Sequence, residues 1–421
     1  MELARAKSPY YRELYSDISD DIDEVADLPV TDKTRLMARY DDWATDREVT
    51  MEGARAIVDD PRRTGEYLLG RYSVRSTSGT TGVPGIFVID NYALAVDRAL
   101  ALRTVSAWLG IGGLAKVVAR GGRMAFVVEG NGHDAASVAA ARQSKGPLGR
   151  RLNAVVRVQA PLDEKVAQLN RFRPAALFSN PSEARLLANE QEAGRLRIAP
   201  LLITLSGEGL VESEYDRIAR AFTAKVVNWY AANECSFMTY SCREGWLHVN
   251  SDWVVLEPVD EEYRPVAPGT ESHTILVSNL ANRVQPILRY DIGDRAVQRP
   301  DPCPCGVPLP AIKVQGRASE MIHIPNAQGD LVGIPPGVFT DIGHVAGIDV
   351  FQIEQVAPAG LQLRFRTTIG AGADEVWRSA QATATRILAE HKLENVTFER
   401  SEKPPYFAPG GKLPRVLPLK E

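Results

Sequence analysis

The fold is decided by residues 153–228, where four short apolar runs recur: Asn153-Ala154-Val155-Val156-Arg157-Val158, Ala175-Ala176-Leu177-Phe178, Leu201-Leu202-Ile203-Thr204-Leu205 and Lys225-Val226-Val227-Asn228. Their length and β-branched content predict strands. Between them, Asp163 to Phe172, Pro181 to Glu192 and Glu212 to Phe222 carry helical periodicity, and Pro181 stands at a first-turn position. Strands and helices alternating through short connections imply a mostly parallel sheet covered on both faces.

Working outward from this core, residues 1–60 read as helices broken by a proline-containing connector. Within Leu28-Pro29-Val30-Thr31-Asp32-Lys33, Thr31 takes the N-cap position. Tyr72 to Arg75 and Gly85 to Asp90 read as strands around a Gly- and hydroxyl-rich loop. Beyond Asn228 the runs become short and β-like (Leu247–Val249, Trp253–Glu257, Thr274–Val277), predicting a small antiparallel sheet or barrel over 245–315. A Gly/Pro-rich loop from Pro325 to Pro336 precedes strands at Val350–Gln355 and Leu361–Thr367 and a helix at Asp374–Leu393. The expected fold is therefore α/β. A large N-terminal domain, residues 1–316, joins through a hinge near Gly316–Glu320 to a small mobile α+β domain, residues 321–421.

The 421 residues are 44% hydrophobic and 24% charged, which excludes disorder and a minimal disulfide scaffold. Forty-nine basic against 53 acidic residues give −4, without a long run of one sign, and no nucleic-acid surface is expected. Four cysteines are too few for a disulfide framework, and the opening residues lack the apolar core of a signal peptide. The apolar stretch from Ala93 to Ala119 is interrupted by Asp97, Arg98, Arg103, Lys116 and the glycines at 110, 112 and 113. Neither a membrane span nor a membrane partner is expected, and a cytoplasmic location is the default.

The loop Ser76-Thr77-Ser78-Gly79-Thr80-Thr81-Gly82-Val83-Pro84-Gly85 suits a polyphosphate, because glycines let backbone N–H groups approach an anion and the hydroxyls add donors. It lacks the Lys-Ser/Thr of a Walker loop, and a strand rather than a helix follows. Four further segments are Asn228-Trp229-Tyr230-Ala231-Ala232-Asn233-Glu234, Tyr290-Asp291-Ile292-Gly293-Asp294, Gly316-Arg317-Ala318-Ser319-Glu320 and Pro409-Gly410-Gly411-Lys412-Leu413-Pro414-Arg415-Val416. In this order the five segments resemble the phosphate loop, adenine-and-magnesium segment, ribose segment, hinge and catalytic-lysine segment of the adenylate-forming superfamily. Ser8-Pro9-Tyr10-Tyr11-Arg12 and Leu28–Lys33 look most like its phenylacetate–CoA ligase branch.

The resemblance implies ATP, Mg²⁺ and coenzyme A as ligands. It places Ser78, Gly79, Thr80, Thr81 and Gly82 on the phosphates, and Gly207, Glu208, Asn228, Trp229, Tyr230 and Asn233 around adenine. Asp294 falls on the ribose, Arg317 at the ribose or hinge, Glu234 on Mg²⁺ and Lys412 on the α-phosphate. The chemistry agrees with those assignments. A carboxylate attacking the α-phosphorus needs phosphate charge neutralised and two anions held together, and Glu234 follows a strand's carboxyl end, where α/β sheets place ligands. The departures from the family pattern are Ala231, Asn233 and Gly85, the last where Lys is frequent. A weak likeness around Phe126–His133 leaves the acid unidentified, with pocket candidates His133, Trp229, Phe237 and Met238.

Cys242, His248, Cys303 and Cys305 form a tetrahedral zinc donor set, with Cys235 left over; some members of the phenylacetate–CoA ligase branch carry a metal site of this layout. Four reduced thiols are the alternative. The leading function is an ATP-dependent carboxylic acid ligase passing an acyl group to a thiol, with an aryl or arylacetic acid implied by resemblance. An amide-forming ligase, an adenylyl transferase and a non-catalytic nucleotide-binding scaffold are the competing readings. The expected partners are a small carboxylic acid and CoA or another small nucleophile, and a homodimer is compatible with the sequence.

Overall fold

The computed structural model describes residues 1–19, 22, 24–77, 85–128, 132–207, 212–317, 322–334, 336–368, 370–407 and 413–419. The mixed α/β chain divides into two compact units. The first is Met1–Ile292 with Val297–Lys313, and the second is Gly293–Ala296 with Val314–Glu421. The chain passes between them after Ile292, within the strand Asp294–Gln298 and within the strand Ala311–Arg317.

The central sheet has five strands, in the order Asn153–Arg157, Met124–Val128, Ala176–Ser179, Leu202–Leu205 and Lys225–Asn228, every neighbouring pair parallel. Four are the runs read from the sequence. Met124–Val128 enters between the first two, a position local pattern cannot give, since a crossover lets a strand pair with neighbours on either side in the chain. One face packs Val127, Val156, Leu177 and Ile203 against Leu169, Leu187, Ile218 and Phe222 of the helices Leu162–Phe172, Pro181–Glu192 and Glu212–Phe222. Lys165 and Glu183, both buried, join two of these helices through a 2.6 Å ion pair. Alternation along the strands puts Phe126 and Phe178 on the other face, stacked at 4.9 Å.

On that second face Ala140 of the helix Ala135–Gln143 packs with Phe126 and Val128, and Trp108 of the helix Asn91–Ala119 with Ala176, Leu202 and Val227; the latter helix is capped by Asp90, whose Oδ1 accepts from the Ala93 N–H at 2.8 Å. By length and composition alone the 29-residue stretch is apolar enough to cross a membrane, but it is not one continuous helix. Gly110, at φ 61° and ψ 178°, breaks it into two parts. The first part packs through Leu94, Leu100 and Trp108, whereas no residue beyond Trp108 is buried.

A three-stranded antiparallel sheet, Tyr67–Leu68, Tyr72–Ser76 and Ile86–Ile89, holds the neck of the hydroxyl-rich loop. The Thr77 N–H donates to the Gly85 carbonyl at 2.9 Å, and the Gly85 N–H to Thr77 Oγ1 at 2.8 Å. Buried amides brace the outgoing strand, with Gln285 Oε1 accepting from the Val88 N–H and Asn282 Nδ2 donating to the Val88 carbonyl. The N-terminal helices dock nearby through Trp43 Nε1 and the Tyr11 hydroxyl, both donating to the Pro286 carbonyl. The expected N-cap shifts by one residue. Asp32 caps Lys33–Ala38 by accepting from the Arg35 N–H, while Thr31 is drawn into a parallel bridge with Tyr290 and donates to the Leu288 carbonyl. A long-range backbone pairing has displaced the local preference.

Antiparallel strands fill the rest of the first unit as expected. Val254–Val259, Thr274–Asn279 and Ile287–Asp291 make one sheet, and Thr239–Ser241, Leu247–Val249 and the start of Ala311–Arg317 pair in another. The second unit has its own core, in which Phe351, Ile353, Leu361 and Leu363 of a four-stranded mixed sheet meet Val376, Ala380, Ala384 and Ile387 of the helix Ala373–Glu390.

Candidate active site

The last strand of the parallel sheet ends at Asn228, and the following chain is held by side chains rather than by a regular ladder. The Asn228 N–H donates to Ser241 Oγ at 3.1 Å and the Tyr230 N–H to Thr239 Oγ1 at 3.0 Å. A tight turn follows, closed by reciprocal bonds between Ala232 and Cys235 of 2.9 and 3.2 Å. Asn233 and Glu234 occupy its tip.

The two tip residues engage different parts of the first unit. Asn233 Nδ2 donates to the Ser76 carbonyl at 3.0 Å, and its Oδ1 accepts from the Ala135 N–H at 2.7 Å. It thereby pins the strand entering the hydroxyl-rich loop to the first turn of Ala135–Gln143. Glu234 is 6% exposed, and its Oε1 accepts from the Tyr290 hydroxyl at 3.0 Å. Asn279 Nδ2 holds the Glu234 main-chain carbonyl at 3.2 Å. Burial first, and then the adjoining carboxylate, push the Tyr290 hydroxyl well above its ordinary pKa, so it stays a donor. A buried carboxylate fixed by a neutral donor at the carboxyl end of a parallel strand has the chemistry of a hard-cation ligand, which fits Mg²⁺.

Arg75, on the strand leading to the loop, is buried and paired with Asp97 at 3.1 Å, and it also donates to Ser236 Oγ. Loop entry, the helix Asn91–Ala119 and the segment after Glu234 are thus linked. Sequence reasoning missed Tyr290, Asn279, Arg75 and Asp97 as supports. Tyr290 lay inside a quoted segment but reads as an ordinary core aromatic, and the partners of the others are far away in sequence.

Trp229 lies in an aromatic chain on the sheet's second face, with ring centroids 5.9 Å from Trp108 and Phe178 and 5.4 Å from Phe237. Of the pocket candidates, Trp229 and Phe237 are half-buried and Met238 is fully buried in the core. His133 is a bracket, its carbonyl accepting from the Ser76 N–H at 2.8 Å and its Nε2 lying 3.2 Å from the Asp60 carbonyl. Gly207, at φ 89°, terminates the strand Leu202–Leu205. Asp294 begins the strand Asp294–Gln298 after Gly293, which turns the chain at φ 74°. Ser78, Gly79, Thr80, Thr81, Gly82, Glu208, Lys412 and the side chain of Arg317 lie outside the described residues.

The four proposed metal donors, distant in sequence, converge. The ligand atoms of Cys242, His248, Cys303 and Cys305 all lie within 4.8 Å of one another. Cys242 and Cys303 sulfurs are 3.8 Å apart, about the edge of a tetrahedron with Zn–S bonds of roughly 2.3 Å. His248 Nε2 is 3.1 Å from the Cys305 sulfur, while Nδ1 lies 2.9 Å from the Leu309 carbonyl, the outer partner that orients a metal-binding imidazole. A turn closed from the Gly306 N–H to the Cys303 carbonyl presents two of the sulfurs. Cys235 stands apart, buried, its thiol pushed up by desolvation.

No protein-family model matches the chain, and no curated protein matches its sequence. Solved structures do match. 2-Hydroxyisobutyryl-CoA ligase, in its postadenylation state with 2-HIB-AMP, aligns at a TM-score of 0.71 with 21% identity, over 99% of this chain and 86% of that one. The anthranilate CoA ligase AuaEII with anthranoyl-AMP aligns at 0.58 with 14% identity, over 81% and 65%. The amide bond synthetase McbA from Marinactinospora thermotolerans aligns at 0.57 with 14% identity, over 81% and 66%. These matches, over nearly the whole chain in the first case, establish that the protein has the fold of the adenylate-forming ligases, including their C-terminal domain.

Proposed function

We propose that this protein is an ATP-dependent carboxylic acid ligase that forms an acyl-adenylate and transfers the acyl group to the thiol of coenzyme A. The observation that carries the reading is the Ala232–Cys235 turn, whose tip braces the neck of a phosphate-type loop through Asn233 and carries the buried Glu234 carboxylate beside Tyr290. The solved proteins of this fold include CoA ligases described with acyl-AMP.

In the first half-reaction a carboxylate oxygen attacks the α-phosphorus, a P–O bond forms, and the bond to pyrophosphate breaks. In the second, the thiol sulfur attacks the acyl carbonyl, AMP leaves with the electron pair of the C–O bond, and the thiol proton passes to solvent. Glu234 would hold Mg²⁺, which when bound would neutralise charge on the phosphates. Tyr290 orients that carboxylate, Asn233 and Arg75 fix the loop entry, and Tyr230 and Asn228 follow the strand end toward adenine. Asp294 accepts from the ribose hydroxyls, and Lys412 supplies the cation for the α-phosphate. In this reading residues 1–316 form the nucleotide- and acid-binding domain and residues 321–421 a cap bearing the lysine. Zinc on Cys242, His248, Cys303 and Cys305 is structural, because four protein donors leave no open position.

An amide-forming second step has its own support in the likeness to an amide bond synthetase. Carboxylate-dependent ATP–pyrophosphate exchange over aryl, arylacetic, fatty and hydroxy acids tests the first half-reaction. Exchange with at least one acid is expected; ATP binding without exchange by any acid leaves a nucleotide-binding scaffold. Mass analysis of products formed with CoA and with amines then identifies the acceptor.

A further inference from the structure

Because the five strands of the central sheet are parallel, their N-terminal ends lie along one edge, and the helices feeding them end there. The first three strand ends along this edge are entered by chain that carries Lys116 and Arg120, Arg150 and Arg151, and Arg171 and Arg173, all exposed. Among the described residues none of the six forms an ion pair, and the chain has no Asp or Glu from 98 to 128 or from 135 to 162. In a protein of net charge −4 this is a strongly one-sided edge. Cations at helix C-termini offset the helix dipole, which accounts for one or two per helix. It does not account for the apolar side chains among them.

Ile111 is 89% exposed, Val118 74% and Leu148 67%. The first two flank the helical segment 111–119, which Gly110 separates from the packed part of its helix and which has no buried residue. So short an apolar helix is unstable in water without a surface to cover it. A two-fold contact with a second copy would set this basic edge against itself. A nucleic-acid backbone would match the charge but leave the aliphatic side chains in water. An anionic bilayer satisfies both, with apolar side chains in the headgroup–acyl boundary and Lys and Arg at the charged surface. We infer that the N-terminal edge of the parallel sheet is a docking surface for anionic lipid membranes, with segment 111–119 inserted along the interface. The sequence alone led to the opposite expectation.

Flotation of the full chain with phosphatidylcholine vesicles, with and without phosphatidylglycerol, tests this. Binding to the anionic vesicles alone, weakening with salt, is expected. Arg150→Glu with Arg151→Glu should weaken it about tenfold or more, since each basic residue near such a surface is worth roughly 1 kcal/mol. Ile111→Ser with Val118→Ser should also release the protein while leaving its melting temperature and pyrophosphate exchange unchanged. No flotation, or equal flotation with both vesicles, overturns the inference. So does a dimer that Ile111→Ser with Val118→Ser dissolves, or equal capture of duplex DNA that this variant retains.

Discussion

Glu234 and Tyr290 are 56 positions apart, yet the Tyr290 hydroxyl donates to the Glu234 carboxylate and helps to orient it. Glu234→Gln should lower pyrophosphate exchange about 100-fold or more, because the charge that holds the cation is gone. Tyr290→Phe keeps the charge and loses its orientation, so a loss of roughly tenfold in exchange and about 1–2 kcal/mol of stability is expected. Equal exchange in wild type and Glu234→Gln would remove Glu234 from the mechanism. Asn233 acts on the loop entry, and Asn233→Ala strands the Ser76 carbonyl and the Ala135 N–H. A urea titration should show a cost of about 1–3 kcal/mol, and the KM for ATP should rise. At Lys412 the expectation rests on the resemblance of its segment; Lys412→Ala should abolish exchange, and undiminished exchange would remove the lysine from the reaction.

At the scale of elements, the hairpin Thr239–Val249 and the Cys303–Gly306 turn come from separate parts of the chain, Cys242 and Cys303 being 61 positions apart. A metal held by the four donors would tie the two together. Protein purified without chelator should contain about one zinc per chain by elemental analysis. Cys305→Ser should lose that metal and melt several degrees lower, and a full thiol titre with no metal would reduce the cluster to packed cysteines. The same hairpin supplies Ser241 and Thr239 to the backbone of Asn228 and Tyr230, so metal loss should also raise the KM for ATP. The elements around the site were legible where their signal was local. The strands from Ala176 to Asn228 and their helices follow from periodicity, whereas Met124–Val128 is passed over because its residues are read with the Phe126–His133 likeness, and its place between two other strands is not local information. The N-cap moved from Thr31 to Asp32 because a bridge to Tyr290 outweighed a preference worth about 1 kcal/mol.

Over the whole molecule, two separate cores predict two unfolding steps. Phe351, Ile353, Leu363 and Ile387 belong to a core made only of residues beyond 321, while the parallel sheet carries its own. Calorimetry should resolve two transitions, and ATP should shift the one belonging to the first unit. A single transition of full enthalpy would mean that the two cores unfold as one.

The sequence by itself determined the alternation of strands and helices, the strands on either side of the hydroxyl-rich segment, the order of five motifs and the proposal of four residues as metal donors. These are properties of residue type and spacing along the chain. Only the tertiary structure decided that Asn233 braces the loop entry while Tyr290 holds Glu234, that the four donors converge, and that scattered basic residues gather along one edge. Each depends on which distant segments become neighbours. Parallel pairing gathers the basic residues by bringing all strand beginnings to one side of the sheet, whereas antiparallel pairing of distant strands brings in Tyr290 and the cysteine–histidine cluster.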